Sequence, residues 1–570
     1  MNFNIDAKQQ QTFDAIVIGS GISGGWVAKE LCEKGLRTLV LERGRQVEHI
    51  KDYPTAMKET WQMPYRGALS PDFARENPVA SKCYALNDFT EHFFVKDKEH
   101  PYVQQKPFDW IKGYQVGGKS LLWARQTQRW SPYDFEGPAR DGFAVDWPIR
   151  YEDLADWYTH VEHFAGISGN KDGLDTLPDG DFLPPMELNC VEQHLQQSIQ
   201  NNYTDRHMIV GRCAHLTEPR EIHRQQGRGS CQYRHYCYRG CPYGGYFSSN
   251  SSTLPWAAKT GKLTMRPHSV VHSVIYDEEK EKATGVRVID TQTKEETEYY
   301  ASIIFVNGST VNTNLLLLNS ISSRFPNGLG NDSGTLGKYV AFHNYRARVN
   351  ATIDQFSDRY YYGRRPNAGY MPRFRNVKKQ ETDFLRGYAI YIDASRKDWS
   401  RENDSLAFGA DFKQQMTEPG EWSIFVMAMG ETLPKESNQL SLHPELKDEW
   451  GIPQIVTSID YDDNDEKMIL DFHLQASEML DKAGFKNITP VDTKQAPGLD
   501  IHEMGGCRMG KDPKTSMLNR WNQMHAVKNV FVTDGACMTS TSTQNPSLTY
   551  MAMSARAADY AVQEMKRRNI

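Results

Sequence analysis

Apolar positions follow two rhythms along this chain. Near the N-terminus, after a polar leader, Phe13-Asp14-Ala15-Ile16-Val17-Ile18 is a short, nearly unbroken apolar run. Such a run suits a strand buried on both faces of a parallel sheet. It leads directly into Gly19-Ser20-Gly21-Ile22-Ser23-Gly24, and Gly25-Trp26-Val27-Ala28-Lys29-Glu30-Leu31 continues as a helix. Arg37-Thr38-Leu39-Val40-Leu41 predicts a second strand, ending at Glu42. From 269 to 300 the rhythm becomes alternation, interrupted by Asp277-Glu278-Glu279-Lys280 and Gln292-Thr293-Lys294, which predicts a small antiparallel meander. Ser302-Ile303-Ile304-Phe305-Val306 returns to a buried strand, Asn307-Gly308 turns, and Leu315 to Leu318 form the apolar part of a helix. Asn529-Val530-Phe531-Val532 predicts one more buried strand, followed by Asp534 and Gly535. Residues from about 346 to about 494 hold strand-rich and aromatic stretches without any nucleotide-binding pattern. Among them, Arg359-Tyr360-Tyr361-Tyr362 suits stacking on a sugar ring or packing within a sheet.

The glycine spacing after the first strand is GxGxxG. There Gly19 permits the tight turn, Gly21 lets backbone approach a pyrophosphate, and Gly24 allows helix and strand to pack closely. The helix N-terminus, with Ile22 and Ser23, then faces the phosphates. Glu42, eighteen residues past Gly24 and followed by Arg43, stands where a carboxylate accepts hydrogen bonds from ribose hydroxyls. NAD and FAD both present such hydroxyls. A second glycine loop, Tyr114-Gln115-Val116-Gly117-Gly118-Lys119-Ser120-Leu121-Leu122-Trp123, favours flavin, because its small residues admit a large planar ligand. Asp534, beside Gly535, is a candidate for holding a polyol chain such as ribityl.

Near the C-terminus, His502 lies among glycines in Ile501-His502-Glu503-Met504-Gly505-Gly506, and Asn545 precedes Pro546. Oxidising an alcohol by hydride removal leaves a hydroxyl proton to dispose of, and imidazole is the side chain whose ordinary pKa is nearest to neutrality. His502 is therefore the candidate base. The neutral amide of Asn545 can hold the same hydroxyl without competing for its proton. The other reading of both is as loop residues satisfying backbone groups.

Nine cysteines in 570 residues make no disulfide scaffold, but Cys231, Cys237 and Cys241 cluster with five and then three residues between them. Thiolates ligate iron–sulfur clusters, and Pro242 follows the last cysteine as in ferredoxin-like sites. Zinc bound by these cysteines with His235, or an unmetallated turn held by one disulfide, are the competing readings.

The charge balance, 66 Lys and Arg against 72 Asp and Glu for a net −6, carries no signature of nucleic-acid binding. Mean hydropathy is −0.65. No apolar stretch approaches the ~18 residues needed to span a bilayer. No basic, apolar leader precedes the first strand, so export would depend on another protein's signal. No internal repeat or long low-complexity segment is present.

The strand-GxGxxG-helix unit with Glu42, the Gly117-Gly118 loop, the segment Trp147-Pro148-Ile149-Arg150-Tyr151-Glu152-Asp153-Leu154, and His502 with Asn545-Pro546 occur in this order along nearly the whole chain. Together they resemble the glucose-methanol-choline (GMC) flavoprotein oxidoreductases. The resemblance implies an α/β fold with a Rossmann-like FAD-binding domain, of the GMC and pyranose-oxidase type, and a discontinuous α+β substrate-binding domain. The FAD-binding parts would be 13–150, 231–345 with the cysteine motif, and 495–570; the substrate-binding parts would be 151–230 and 346–494. It places His502 and Asn545 over the flavin ring as base and partner, Pro546 beside them, and Val270 and Val271 against adenine. Leu122 stands where some members carry a histidine bonded to FAD, so non-covalent FAD is expected.

The cysteine spacing further resembles the FAD/iron–sulfur large subunits of bacterial glucoside, glucose, fructose and gluconate dehydrogenases. That resemblance implies a 3Fe-4S cluster on Cys231, Cys237 and Cys241, a small companion subunit, a c-type cytochrome as acceptor, and either a periplasmic location by co-export or a cytoplasmic one. Arg234 and Arg239 would stabilise the cluster's charge or simply be solvated. The expected activity is oxidation of a secondary alcohol of a sugar or glycoside, with C3 of a glucoside as the specific candidate. The alternatives are a pyranose-oxidase-like enzyme that uses oxygen and a flavin-bound scaffold subunit without catalysis of its own.

Overall fold

A computed structural model describes residues 12–361, 368–396, 408–417 and 419–570; Tyr362 of the tyrosine run and nearly all of the polar leader lie outside them. The first apolar run forms the strand Thr12–Ile18, which lies parallel between Thr38–Leu41 and Glu296–Val306, with Ile16 opposite Leu39 on one side and Ile304 on the other. Leu263–Arg266 extends this sheet beyond Thr38–Leu41, and Val530–Val532 adds in parallel to Glu296–Val306. Because both faces are covered, the strands are apolar throughout. The helices Ile22–Glu33 and Ser547–Arg567 bury Val27, Leu31, Ala557 and Ala561 against Val17, Val40, Phe305 and Phe531.

The meander and the returning strand, read from the sequence as separate pieces, share one strand. Glu296–Val306 pairs antiparallel with Lys282–Asp290 over its first half and parallel with Thr12–Ile18 over its second, the exchange falling at Tyr300. The helix Thr310–Asn319 follows and buries Leu315, Leu316 and Leu317.

A second, antiparallel sheet runs Lys486–Asp492, Ala347–Ile353, Trp422–Glu431, Tyr388–Arg396, Gly369–Met371 and Ile209–Val210. Its period-two pattern is plain in Trp422, Ile424, Val426 and Ala428, which face the helix Asp463–Lys482 through Met468, Phe472 and Met479. That helix begins at Asp462, whose carboxylate accepts from the backbone of Asn464 and Asp465. A third sheet orders Met504–Gly506, Lys338–Ala341, Gln439–Lys447, Pro453–Ser458 and Val103–Gln104. Leu440 and Ile455 from it pack on Val311 and Leu315 of the helix Thr310–Asn319. This sheet fixes residue 504 and thereby the loop that carries His502.

Tyr360 and Tyr361 correct an expectation. They lie outside any strand and are largely exposed, Tyr361 meeting the edge of Trp422 and the Cys190 thiol, and neither lines the central cavity. Among the described residues no helix is long and apolar enough to cross a membrane.

Candidate active site

A cavity of about 610 Å³ runs from the first glycine turn, past the second glycine loop, to the face of the antiparallel sheet. Its walls include Gly19, Gly21, Ile22, Ser23, Glu42, Arg43, Gly118, Ser120, Val270, Val271, Asp534, Gly535, His502, Asn545 and Pro546. Gly24 and Gly117, also expected to bind the cofactor, do not line it. Both work behind the wall. A Cβ on Gly24 would lie 1.9 Å from the carbonyl oxygen of Gly19, and one on Gly117 would lie 1.6 Å from Asn250 Oδ1. Gly21 differs from both, since a Cβ there would meet nothing within 4 Å and would enter the cavity's space.

Ser20 ties this end together. Its hydroxyl donates to Glu42 Oε2 at 2.6 Å and accepts from the backbone N–H of Gly117 at 2.9 Å, so the first turn, the end of the second strand and the second glycine loop share one atom. Glu42 also accepts from the N–H groups of Ser20 and Gly44 at 3.1 and 3.0 Å. Burial nonetheless raises its pKa. Asp534 accepts from Thr313 Oγ1 at 2.6 Å and from the N–H of Ala536 at 3.0 Å, and burial pushes its carboxyl up to about 6. Several cavity-lining polar atoms are buried without a protein partner: Ser23 Oγ, Asn307 Nδ2, Glu503 Oε1, Asn545 Oδ1 and Tyr550 Oη. Unpaired groups of this kind are costly unless a ligand satisfies them. With the open cradle at Gly21, they fit a long dinucleotide such as FAD. Leu122, the position from which non-covalent FAD is expected, lines the same cavity.

At the far end, His502 and Asn545 meet across Tyr345, the Asn545 amide interacting with the Tyr345 hydroxyl and that hydroxyl lying 3.2 Å from His502 Nδ1. His343 Nδ1 is 2.8 Å from the same nitrogen. Burial holds the His502 pKa well below 6.5, with His343 and Lys119 adding to the effect, so the ring is a neutral base at neutral pH. Asp500 accepts from the N–H of His343 at 3.0 Å and from that of Gly498 at 3.1 Å. Its carboxyl is pushed up to about 7 by burial and by Glu503. The opposite wall comes from the antiparallel sheet, where Arg348, Tyr391 and Met427 lie in one register row. Sequence reasoning missed His343, Tyr345 and Arg348, none of which sits in a recognisable motif.

Of the readings open for the cysteines, the structure corrects the disulfide. Cys231, Cys237 and Cys241 line one small pocket and are free thiols, so no disulfide holds the turn. They line a common space, and among the described residues no three His, Cys, Asp or Glu side chains are placed to hold a metal ion. Cys237 Sγ lies 3.6 Å from His215 Nε2. The two arginines read from the motif are largely engaged elsewhere: Arg239 donates to Lys58 O at 2.6 Å over the Phe89 ring, and Arg234 donates to Ala56 O at 2.7 Å. The larger positive influence on Cys237 is Arg125, which was not singled out and which also lines the main cavity. Tyr238, next in sequence to Cys237, lines that cavity too.

Comparison with known proteins agrees with this arrangement. The GMC oxidoreductase N-terminal model matches residues 14–343 and the C-terminal model matches residues 434–554. A 2-methyl-1,2-propanediol dehydrogenase of Mycolicibacterium austroafricanum is 29% identical, covering 96% of this chain and 94% of its own length. The fructose dehydrogenase large subunit of Gluconobacter japonicus is 24% identical over 97% of this chain and 98% of its own. Among solved structures, pyridoxine 4-oxidase from Mesorbium loti superposes with a TM-score of 0.60 at 16% identity, over 96% of this chain and 99% of that one.

Proposed function

This chain belongs to the GMC oxidoreductases, with their FAD-binding fold, and from that premise we propose that it is an FAD-dependent dehydrogenase of a sugar, glycoside or related polyol. The finer reading is oxidation of a secondary alcohol, C3 of a glucoside being the specific candidate, with a 3Fe-4S cluster held by Cys231, Cys237 and Cys241, a small companion subunit and a c-type cytochrome acceptor. The observation that carries the activity is the meeting of His502 and Asn545, far apart in sequence, at one end of a cavity whose other end is the glycine cradle. Bound FAD would supply the hydride acceptor, and a cluster at the three thiols would supply a one-electron carrier.

The chain's own part is proton handling and alignment. A neutral His502 takes the hydroxyl proton of the alcohol, and the amide N–H of Asn545, donating to the alcohol oxygen, holds that alcohol in line. Asp500 braces the loop of His502 against the backbone of His343. Arg348 and Gln495, hydrogen-bonded to each other at 3.1 Å, offer polar contacts to further hydroxyls from the cavity wall. A diol and a sugar are the substrates in the names of the two relatives above, and one of those names is that of a large subunit. Three thiols around one space, with Tyr238 reaching from beside Cys237 to the main cavity, support the cluster.

The test is anaerobic flavin reduction by a panel of sugars and polyols, together with iron and acid-labile sulfide analysis. His502→Ala should retain FAD and lose a factor on the order of 10²–10⁴ in the reduction rate. Cys237→Ser should leave single-turnover reduction intact, lower the iron content and abolish turnover with a cytochrome acceptor. Near-normal reduction by His502→Ala would refute the base. Iron-free wild-type protein that releases hydrogen peroxide would refute the relay in favour of an oxidase.

A further inference from the structure

His343 is fully buried, lies outside every motif and contacts the ring of the base. It follows the strand Lys338–Ala341 and pairs with Glu431 at the start of a short bridge to the antiparallel sheet, so two sheets hold its backbone. Its N–H donates to Asp500, which also anchors the loop leading to His502. The two imidazoles meet edge to face, with centroids 5.0 Å apart and planes at 82°.

The protons in this contact can be assigned by elimination. His343 Nε2 faces two backbone carbonyls, Thr541 O at 3.2 Å and Ser542 O at 3.0 Å. A carbonyl only accepts, so Nε2 must carry a hydrogen. Burial keeps this imidazole neutral, its pKa pushed down to about 4. A neutral ring has one N–H, which leaves His343 Nδ1 as an acceptor. Its neighbour at 2.8 Å, His502 Nδ1, must then be the donor. The Tyr345 hydroxyl at 3.2 Å does not reverse this. Were it to donate to His502 Nδ1, two bare nitrogens would face each other at His343, or His343 would have to turn a lone pair on both carbonyls. Tyr345 instead receives a share of the same N–H.

We propose that His343 is a positioning residue that fixes the tautomer of His502, keeping hydrogen on Nδ1 and leaving Nε2 as the bare nitrogen toward the cavity. The inference rests on the reading of His502 as the base and explains how that base is held ready. His502 Nε2 has no hydrogen-bond partner among the described residues and is not enclosed by protein, whereas Nδ1 is fully occupied. When Nε2 takes the alcohol's proton, the positive ring keeps its Nδ1–H directed at a neutral acceptor, which favours the charged form through a hydrogen bond. His343 accepts no proton itself. It orients the base as a backbone carbonyl or carboxylate orients the histidine of other acid–base sites.

The decisive measurement needs no substitution in the positioning residue. Imidazole ¹⁵N shifts of wild-type holoenzyme labelled at histidine, with the His502 signal identified by its loss in His502→Ala, should show a protonated Nδ1 and a bare Nε2 at neutral pH. A protonated Nε2 would overturn the proposal. In parallel, the limiting rate constant of anaerobic flavin reduction is measured with methyl β-D-glucoside, or failing that with the first sugar or polyol that bleaches the wild-type flavin. His343→Leu should lower this constant by about 10- to 100-fold with half-saturation and FAD content little changed, and should lower the melting temperature through the carbonyls of Thr541 and Ser542 that it leaves unpaired. His343→Asn, whose Oδ1 can take the place of Nδ1 as acceptor, should recover most of the loss. Wild-type reduction by His343→Leu would overturn the positioning role. Wild-type reduction by His502→Ala would instead overturn the base, whatever the ¹⁵N shifts show.

Discussion

The two ends of the central cavity are built on different plans. At the nucleotide end, a strand, a turn and a helix that are contiguous in sequence supply the cradle, and Ser20 Oγ ties it to the Glu42 carboxylate and to the backbone of the second glycine loop. At the alcohol end, His502 is held by His343 and Tyr345 from one segment, and by Asp500 in its own loop; His343 in turn rests on the carbonyls of residues 541 and 542. The first end recognises a fixed ligand shape with rigid local geometry. The second must set a proton, and for that it gathers side chains from distant parts of the chain around a buried ring.

The contrast should show in how each end fails. Gly24→Ala is the most damaging single methyl we expect, because its Cβ would lie 1.9 Å from a backbone oxygen that cannot rotate away. Helix and strand would have to separate, at a cost of about 1–3 kcal/mol or more by analogy with overpacked cores. The expected result is a lower melting temperature together with loss of FAD, seen by thermal unfolding and by flavin absorbance after gel filtration. Unchanged stability and stoichiometric FAD would mean that the turn is looser than its geometry indicates.

The alcohol end should fail by protonation, and late. Burial lowers the pKa of His502, so its neutral form persists to more acidic pH than that of a free imidazole. The limiting rate of flavin reduction should therefore hold from about pH 7.5 down through the ordinary histidine value of about 6.5, where an exposed imidazole has already lost half of its neutral form. A decline centred on 6.5 would show a solvated His502 and remove the distinction between a buried base and an ordinary loop histidine.

The same contrast explains what could be read from the sequence. The nucleotide end was legible because its signals are contiguous: Gly19 to Gly24 follow a strand and open a helix, and Glu42 closes the next strand. His502 and Asn545 were legible as chemistry, but their surroundings were not. His343 and Tyr345 acquire their roles only when the strand Lys338–Ala341 closes the third sheet against Met504–Gly506, a pairing that no local pattern encodes. Arg125 stayed hidden for a similar reason. It adopts a φ of 64° and reaches Cys237 from another segment, while the arginines beside the cysteines in sequence turn largely to backbone carbonyls. The tyrosine run misled because its composition suits a strand, yet Tyr360 and Tyr361 lie in neither sheet nor cavity wall.

The smallest expected effect is the most discriminating for the nucleotide end. Gly21→Ala adds the same methyl group three residues before Gly24, but Gly21 has an ordinary φ of −65° and its Cβ would meet no protein atom within 4 Å. Nothing in the protein has to move, so the melting temperature of the apoprotein should match wild type. The methyl would occupy space in the cavity where backbone is open to a ligand, and a pyrophosphate would have to stand off from it. We expect FAD to bind about tenfold more weakly, equivalent to about 1.4 kcal/mol, as measured by fluorescence titration of apoprotein, with the rate of flavin reduction at saturating FAD nearly unchanged. Unaltered FAD affinity would place the pyrophosphate away from Gly21. A destabilised apoprotein would mean that Gly21, like Gly24, serves the packing of the turn and not the approach of the cofactor.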